Sequence, residues 1–246
     1  MEQAVAFWSG GKDSALALDR VRRGGEFEIA ALVTAISKEY KRVSMHGVRE
    51  ELVEAQARAI DLPLDKMYVG PDSSNATYVA ALRICLGAWR KRGVTRAVFG
   101  DIFLADLRQW RETLLAELGM TGVFPLWRAD TRQLAGEFVA RGFAAVTCCV
   151  NDAWLGEKDV GRALDGGFFA GLGPEIDPCG ENGEYHSFVH DGPIFRHPVA
   201  YSMGDKIYRP LDGPKPPAGG PAIPLPAPQG AGKTKGFWFI DLLPAS

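Results

Sequence analysis

Short apolar runs alternate with amphipathic stretches through the first half of the chain. The runs predicted to be strands lie at 4–8, 29–34, 66–69, 97–99 and 122–126. Between them, apolar residues recur with the helical period at about 15–21, 48–62, 75–89 and 106–118. Continuous apolar strands that alternate with helices are typical of a parallel sheet covered on both faces. The pattern therefore predicts an α/β fold with a Rossmann-like parallel sheet flanked by helices.

The pattern changes after about residue 126. A helix is predicted to follow its N-cap Asp130, with Gln133 three residues further on, as in a capping box. The elements predicted beyond it are a strand at 144–150, a helical stretch at 160–169 and a closing strand at 237–240. Many prolines and glycines predict an extended excursion at about 210–230. We therefore expect two domains, residues 1–126 and a smaller, mixed α+β domain at 127–246.

Composition narrows the range of partners and compartments. The chain has 246 residues, of which 46% are hydrophobic and 24% charged, and a formal net charge of −2. This near-neutral balance provides no positive field that would gather nucleic acid or an anionic membrane. Since there is no apolar run of membrane-spanning length and no basic-then-apolar N-terminus, we expect a cytoplasmic protein without a membrane partner.

The cysteines do not form a recognisable metal or redox motif. The four are Cys85, Cys148, Cys149 and Cys179, and no pair has the two-residue gap typical of zinc or thioredoxin-type sites. Cys148 and Cys149 lie within an apolar run, which favours buried packing over the alternative of a redox role.

A polar, glycine-containing loop follows the first predicted strand and leads directly into a helix. Its residues are Ser9, Gly10, Gly11, Lys12, Asp13 and Ser14. Glycines allow backbone N–H groups to converge on an anion, the helix N-terminus adds positive potential, and the serines and the lysine add donors. The structural alternative is a simple glycine turn between strand and helix. The run as a whole matches the Ser-Gly-Gly-x-Asp-Ser pattern of the PP-loop ATP pyrophosphatases, so we expect it to bind the phosphates of ATP.

A second loop is expected to face the same pocket. Gly100 and Asp101 follow the strand at 97–99. Ligands of parallel sheets bind at the carboxyl ends of the strands, where this loop and the loop at 9–14 both lie. We therefore assign Gly100 to nucleotide binding and Asp101 to a catalytic role toward nucleotide or metal.

The segment Gly230 to Thr234 resembles the end of a Walker A loop. However, Ala227 stands where that motif requires glycine, and no predicted strand precedes it. We interpret this segment as part of a flexible linker.

The other dense polar run lies at 177–193. If 184–190 is a strand, then Glu184, His186, Phe188 and His190 share one face. A row of carboxylate and imidazole groups suits the binding of an amine or ammonium group. The alternatives are a solvated edge strand and a metal site formed by Glu184, His186 and His190, although no further ligand set is visible.

Together these motifs make a family resemblance specific. The loop at 9–14, the region around His46, Gly47 and Glu50, the strand ending at Gly100 and Asp101, and the run 179–185 resemble the diphthine–ammonia ligase family. The family's Glu-Gly-Gly-Glu-Tyr-Glu-Thr-like motif corresponds here to 181–187, with Asn182 in place of a glycine and His186 in place of a glutamate. The resemblance covers residues 4 to about 197, together with the last strand.

The resemblance implies an adenine nucleotide hydrolase-like fold and an ATP-dependent ligase. ATP would be cleaved between the α and β phosphates, AMP would activate a substrate carboxylate, and ammonia or another amine would attack it. Mg²⁺ would share the phosphate charge, with Lys12 and Asp13 as catalytic groups and Asp13 as a magnesium ligand. The residues expected to meet the acceptor are Glu181, Asn182, Gly183, Glu184, Tyr185 and His186.

Two rival functions stay open. One is a PP-loop enzyme that modifies nucleotides in tRNA, which the negative net charge and the cysteine spacing disfavour. The other is a sensor that binds ATP without turnover. The sequence does not name the acceptor.

Overall fold

The computed structural model describes residues 1–44, 46–70, 75–211 and 234–245. The strands are β1 (Glu2–Phe7), β2 (Phe27–Ser37), β3 (Arg42–Val43), β4 (Leu64–Val69), β5 (Arg96–Val98), β6 (Thr121–Val123), β7 (Ala144–Asn151), β8 (Tyr185–Asp191), β9 (Tyr201–Pro210) and β10 (Gly236–Pro244). The helices are α1 (Lys12–Gly24), α2 (Glu50–Ile60), α3 (Asn75–Lys91), α4 (Ala105–Glu117), α5 (Thr131–Ala140) and α6 (Gly166–Ala170), with a short 3₁₀ turn at Glu157–Asp159.

The first six strands form one sheet with β1 at its centre. β2 and β5 pair with β1 on either side, β4 pairs with β2, and β6 pairs with β5, all in parallel. β3 alone is antiparallel, where it pairs with the end of β2. The chain thus winds outward from β1 in one direction and then returns to add β5 and β6 on the other side. The expected parallel α/β architecture is confirmed, and the end of β1 lies where the winding direction reverses, which is the place where such sheets bind ligands.

The remaining strands form a four-stranded sheet in the order β8-β7-β10-β9. Its strand pairs are antiparallel. α5 precedes this sheet and starts where expected, since the Asp130 side chain accepts a hydrogen bond from Gln133 N–H at 2.9 Å.

Two expectations for the second half are wrong. The helix expected at 160–169 is limited to Gly166–Ala170, because residues 161–164 lie extended beside β7, with Gly161 and Leu164 donating backbone hydrogen bonds to Thr147 and Ala145. The sequence analysis did not predict β9. Its residues are at least partly exposed, so the strand lacks the alternation of apolar and polar residues that would have indicated it. Most of the excursion expected at 210–230 lies outside the described residues.

One buried cluster joins the two sheets. It contains side chains of β1, α1 and α2 from the first half and of β7, β8 and β10 from the second, including Leu18, Leu52, Val150 and Phe188. Asp241 of β10 also pairs with Arg42 and Arg49 across the halves. The division into domains at residue 126 stays a prediction.

None of the helices among the described residues has the length and apolar character needed to cross a membrane.

Candidate functional site

The loop at 9–14 lies between the end of β1 and the start of α1. Ser9 Oγ lies 3.4 Å from Ser14 Oγ, and Gly11 N–H points to Ser9 Oγ at 3.3 Å. Ser14 in turn donates to the carbonyl of Gly11 at 2.8 Å, which folds the loop onto the first turn of the helix. Two hydroxyls and a helix N-terminus therefore converge at the switch point of the sheet, which is an arrangement suited to an anion.

Gln56 holds this loop against the second sheet. Its side chain is fully buried; its Oε1 accepts from Trp8 Nε1 at 2.9 Å, and its Nε2 donates to the carbonyls of Gly10 at 3.0 Å and Val189 at 2.6 Å. The backbone of Val189 also donates to Gly10 O at 2.9 Å. The free edge of β8 is thus paired with the loop through backbone and amide groups.

Lys12 is the first residue of α1 and is 4% exposed. Its Nζ donates to both carboxylate oxygens of Asp13, at 2.8 and 2.7 Å, and to the carbonyl of Cys179. Its backbone N–H donates to Ser187 Oγ at 3.1 Å. A glycine loop between a strand and a helix is typically solvent-facing, but the segment at 177–184 covers Lys12, while the Asp13 side chain keeps 31% exposure.

The charge of Lys12 is maintained despite its burial. Burial by itself lowers the pKa of Lys12, but the neighbouring carboxylate of Asp13 raises it above the ordinary value. Lys12 is therefore a permanent cation in a space that water scarcely reaches, where its field on a bound anion is strong.

The end of β5 lies directly against the start of α1. A Cβ at Gly100 would lie 2.9 Å from the backbone carbon of Asp13, so this close approach requires glycine. The next residue, Asp101, is bound by Arg111 of α4 at 2.7 and 3.3 Å. The expected proximity of the two loops is present, and Asp101 is neutralised by a half-buried arginine that sequence reasoning missed.

The polar run at 177–184 forms a closed loop above Lys12. Its hub is Glu184, which is 1% exposed and accepts from the backbone N–H groups of Asp177 and Asn182 at 3.0 Å each, and from Asn182 Nδ2 at 3.2 Å. We expected Glu184 on the same strand face as His186. Instead β8 begins at Tyr185. The Glu184 carboxylate is turned into the loop because the backbone N–H groups of Asp177 and Asn182 donate to it there.

Glu181 connects that loop with the first sheet. Its Oε1 accepts from Ile102 N–H at 2.8 Å, just beyond Asp101. Burial raises the pKa of Glu181 to about 8, and the negative charges of Asp13 and Asp101 act in the same direction. Glu181 therefore exchanges a proton near neutral pH, within reach of the charges at the loop.

Tyr185 lies beneath the cation. Its ring centroid is 5.3 Å from Lys12 Nζ, and its hydroxyl donates to the carbonyl of Pro178. Tyr185 thus supports the segment that covers Lys12. His186, the next residue, points to the opposite side of β8 and stacks on His46.

Comparison with known sequences gives a consistent identification. The model of the diphthamide synthase N-terminal domain matches residues 2–122, and that of the C-terminal domain matches 130–212. The chain belongs to the diphthamide synthase family. The diphthine–ammonia ligase of Schizosaccharomyces pombe (strain 972 / ATCC 24843) is 27% identical over 227 residues, which cover 81% of this chain and 37% of that relative. The chain therefore spans little more than a third of the length of that curated relative.

Within this member of the diphthamide synthase family, no group of three or more metal-ligating side chains occurs among the described residues. Asp13 is the carboxylate nearest the phosphate loop, and Lys12 holds both of its oxygens. Magnesium in ATP sites is commonly bound through one or two carboxylates together with phosphate oxygens. The carboxylate of Asp13, which lies within the loop and is 31% exposed, has the chemistry for that role. The three-ligand site considered for Glu184, His186 and His190 is not formed, because Glu184 is turned into its own loop.

The cysteines are buried as expected. All four are free thiols, and burial raises the pKa of the adjacent Cys148 and Cys149 above the ordinary value. A buried, protonated thiol is unreactive, which favours packing over redox chemistry at this pair. Cys179 enters the site through its backbone carbonyl.

The residues that sequence reasoning missed act by positioning others. They are Gln56, Arg111, Asp177 and Ser187, each bound to a loop residue of the site. Gln56 and Arg111 each lie at a polar position on a predicted helix, where nothing in a single sequence separates a buried side chain from a solvated one.

Proposed function

We propose that the chain is an ATP-dependent, amide-forming ligase of the PP-loop type that acts as diphthine–ammonia ligases do. The observation that carries the proposal is the loop at 9–14. It lies at the switch point of the parallel sheet, its serine hydroxyls converge, and a buried lysine stands beside them. Membership of the diphthamide synthase family and the diphthine–ammonia ligase among its relatives support the same chemistry.

The reaction proceeds in two steps. In the first, a carboxylate oxygen of the acceptor attacks the α-phosphorus of ATP, the bond to the β-phosphate oxygen breaks, and pyrophosphate leaves. In the second, ammonia attacks the acyl carbon, AMP leaves, and the amide nitrogen loses a proton. The first step converts a carboxylate, whose oxygen is a poor leaving group, into an acyl phosphate that releases AMP readily.

The phosphate loop assists the first step through charge and position. Ser9, Ser14 and the N–H of Gly11 bind the β and γ phosphates, and Lys12 turns from Asp13 to the oxygens that become pyrophosphate. Asp13 would hold magnesium, which would supply further positive charge at the leaving group when bound. Gln56 fixes the loop, so the loop need not rearrange when negative charge develops on the departing pyrophosphate.

Asp101 and Glu181 act at the other side of the nucleotide. Asp101 orients Arg111, whose guanidinium lies near the end of β5 and can approach the α-phosphate. The ionised fraction of Glu181, which grows as the pH approaches its pKa of about 8, takes up the proton that the amine releases. Asn182, Gly183 and Tyr185 shape the loop that meets the acceptor.

The proposal is tested by measuring AMP and pyrophosphate from Mg-ATP with ammonium and an elongation factor that bears diphthine. We expect AMP and pyrophosphate in equal amounts over repeated turnover when acceptor and ammonium are both present, and no repeated turnover when either is omitted. Omission of each component in turn is the control. ATP binding without AMP under every condition would instead identify a sensor, and AMP formation that requires tRNA would identify a nucleotide-modifying enzyme.

A further inference from the structure

Two histidines from distant parts of the chain pack ring against ring, in a tilted arrangement, beside the loop at 9–14. His46 precedes α2, and His186 is the second residue of β8. Their ring centroids are 4.5 Å apart, with an angle of 32° between the ring planes. Both residues are only partly exposed. Neither was needed to build the phosphate site described above.

The pair is fixed against the loop. A Cβ at Gly11 would lie 2.7 Å from His46 Cε1, so His46 rests on the loop backbone without intervening space. His46 Nδ1 lies 3.3 Å from the carbonyl of Ser187, which can only accept, so Nδ1 carries the proton. Ser187 in turn accepts from the backbone N–H of Lys12 through its Oγ. The histidine pair is thus one residue away from the start of α1.

The ring nitrogens without a hydrogen-bond partner among the described residues are available to bind a ligand. Among the described residues, Nε2 of His46 and both ring nitrogens of His186 have no hydrogen-bond partner. Both rings lie where water reaches only part of them, so these nitrogens gain a partner only from solvent or from a bound molecule.

The charge that acts on the pair is positive. Burial lowers the pKa of His46 to about 4, and Lys12 of α1 acts in the same direction. Burial, His46 and Lys12 likewise lower the pKa of His186. At neutral pH both rings are uncharged and face a cation, so a cationic ligand would be repelled there and an anionic ligand attracted.

We propose that His186, positioned by His46, binds the carboxylate group of the acceptor and holds it beside the loop at 9–14. This inference rests on the proposed function, since it places the nucleophile of the first step next to the phosphates bound at 9–14. A carboxylate there accepts a hydrogen bond from the ring N–H of His186 and lies in the field of Lys12, while the N–H of His46 stays on the carbonyl of Ser187. Glu181 and the rest of the 177–184 loop then lie across the site, toward the incoming amine.

A binding experiment without ATP tests this proposal independently of the ligase reaction. The full chain, labelled with ¹⁵N at histidine, is titrated with formate as a minimal carboxylate and with tetramethylammonium as a cation, at constant ionic strength. We expect formate to shift the ring resonances of His46 and His186 saturably, and tetramethylammonium to leave them unchanged. Because no ATP is present, failure here leaves the proposed function standing, and failure of the ligase assay leaves this result standing.

Three variants sharpen the test. His186→Gln keeps a neutral polar group and should weaken formate binding about tenfold, through loss of a hydrogen bond to a charged group. His186→Glu places a negative charge beside His46 and should abolish formate binding. His190→Gln is the matched control, because His190 lies on the same strand and packs on Tyr201, with ring centroids 5.0 Å apart.

The same variants have a kinetic readout. In the ligase assay, His186→Gln should raise the KM of the carboxylate acceptor and leave the KM of ATP unchanged, which loss of folding would not do. Absence of saturable formate binding in a folded wild-type chain, equal binding in wild type and His186→Glu, or preference for tetramethylammonium would each overturn the proposal.

Discussion

At the scale of single residues, Lys12 and Asp13 combine a structural and a chemical role. Lys12 is buried, and its partners are a carboxylate and a backbone carbonyl. Removing one charge of such a pair leaves the other charge buried and unpaired, which lowers the stability of the fold. Removing both charges can leave the stability nearly unchanged. Stability and activity can therefore be separated by comparing single and double variants.

We predict that Lys12→Met lowers the free energy of unfolding by about 2 kcal/mol, less than for a fully buried pair because Asp13 is partly exposed. The double variant Lys12→Met/Asp13→Asn should recover most of that loss. Both should lose AMP formation by at least about a hundredfold, as for removal of a group that stabilises transition-state charge. Thermal melts and pyrophosphate release provide the two measurements, and Lys91→Met at the exposed end of α3 is the control. Full activity in the double variant would contradict the role of Lys12.

Glu181 makes the stability of the protein depend on pH. Its pKa in the folded protein is about 8, above its ordinary value of 4.5. Between these values the folded chain holds a proton that the unfolded chain releases, so this group's contribution to stability falls as pH rises and is fully lost above about pH 8.

We predict that the melting temperature of the wild type falls between pH 6 and pH 9 more steeply than that of Glu181→Gln, which has no proton to lose. Calorimetric melts at one-unit intervals measure this difference. The exposed Glu175→Gln serves as the control and should follow the wild-type curve. Parallel curves for wild type and Glu181→Gln would show that the carboxyl is ionised throughout.

At the scale of elements, the loop at 177–184 is built around one carboxylate. Glu184 binds two backbone N–H groups and one side-chain amide, so it determines where Cys179 and Glu181 meet the first sheet. We expected Glu184 to serve the acceptor alone. That assignment stays a prediction; because the same loop covers Lys12, we propose that Glu184 also supports the binding of ATP.

We predict that Glu184→Gln lowers stability by about 2 kcal/mol, since a buried carboxylate loses hydrogen bonds and an amide N–H₂ faces backbone N–H groups. For a chain of this size the melting temperature should fall by roughly 4–8 °C. The KM values of both ATP and acceptor should rise. The KM values of Glu184→Gln are compared with those of the control Glu175→Gln. A rise in the KM of the acceptor alone would show that Glu184 serves the acceptor only.

At the scale of the whole molecule, the two sheets share a buried cluster and meet at the site. β8 contributes its free edge to the phosphate loop, and β10 carries Asp241 to the arginines near His46. β9 and β10 bring the ends of the segment at 212–233 together, since Leu211 N–H donates to the carbonyl of Lys235 at 2.8 Å. The site thus depends on the second sheet, in which the described residues of β9 and β10 pair up to Pro210 and Gly236.

We predict that replacing residues 212–233 by a short Asn-Gly turn leaves melting temperature and AMP formation close to the wild-type values, because the flanking strands are already in hairpin register at Pro210 and Gly236. Lys233→Ala should likewise have no effect. Nucleotide affinity is measured by calorimetry with a non-hydrolysable ATP analogue. A large loss of affinity in either variant would return Gly230 to Thr234 to the list of phosphate sites.

The sequence by itself determined the parts that depend on local pattern: the parallel sheet, from strand and helix periods, and the place of the loop at 9–14 between β1 and α1, from six consecutive residues. It also identified Gly100 and Asp101, because strand ends of a parallel sheet meet at one edge. Tertiary structure alone decided that Lys12 is covered, that Glu184 turns inward, that Arg111 neutralises Asp101, and that His46 lies on His186. Each of these depends on contacts between residues far apart in the chain. Burial and charge pairing at such contacts produce no periodic pattern in a single sequence, so the sequence alone does not predict them.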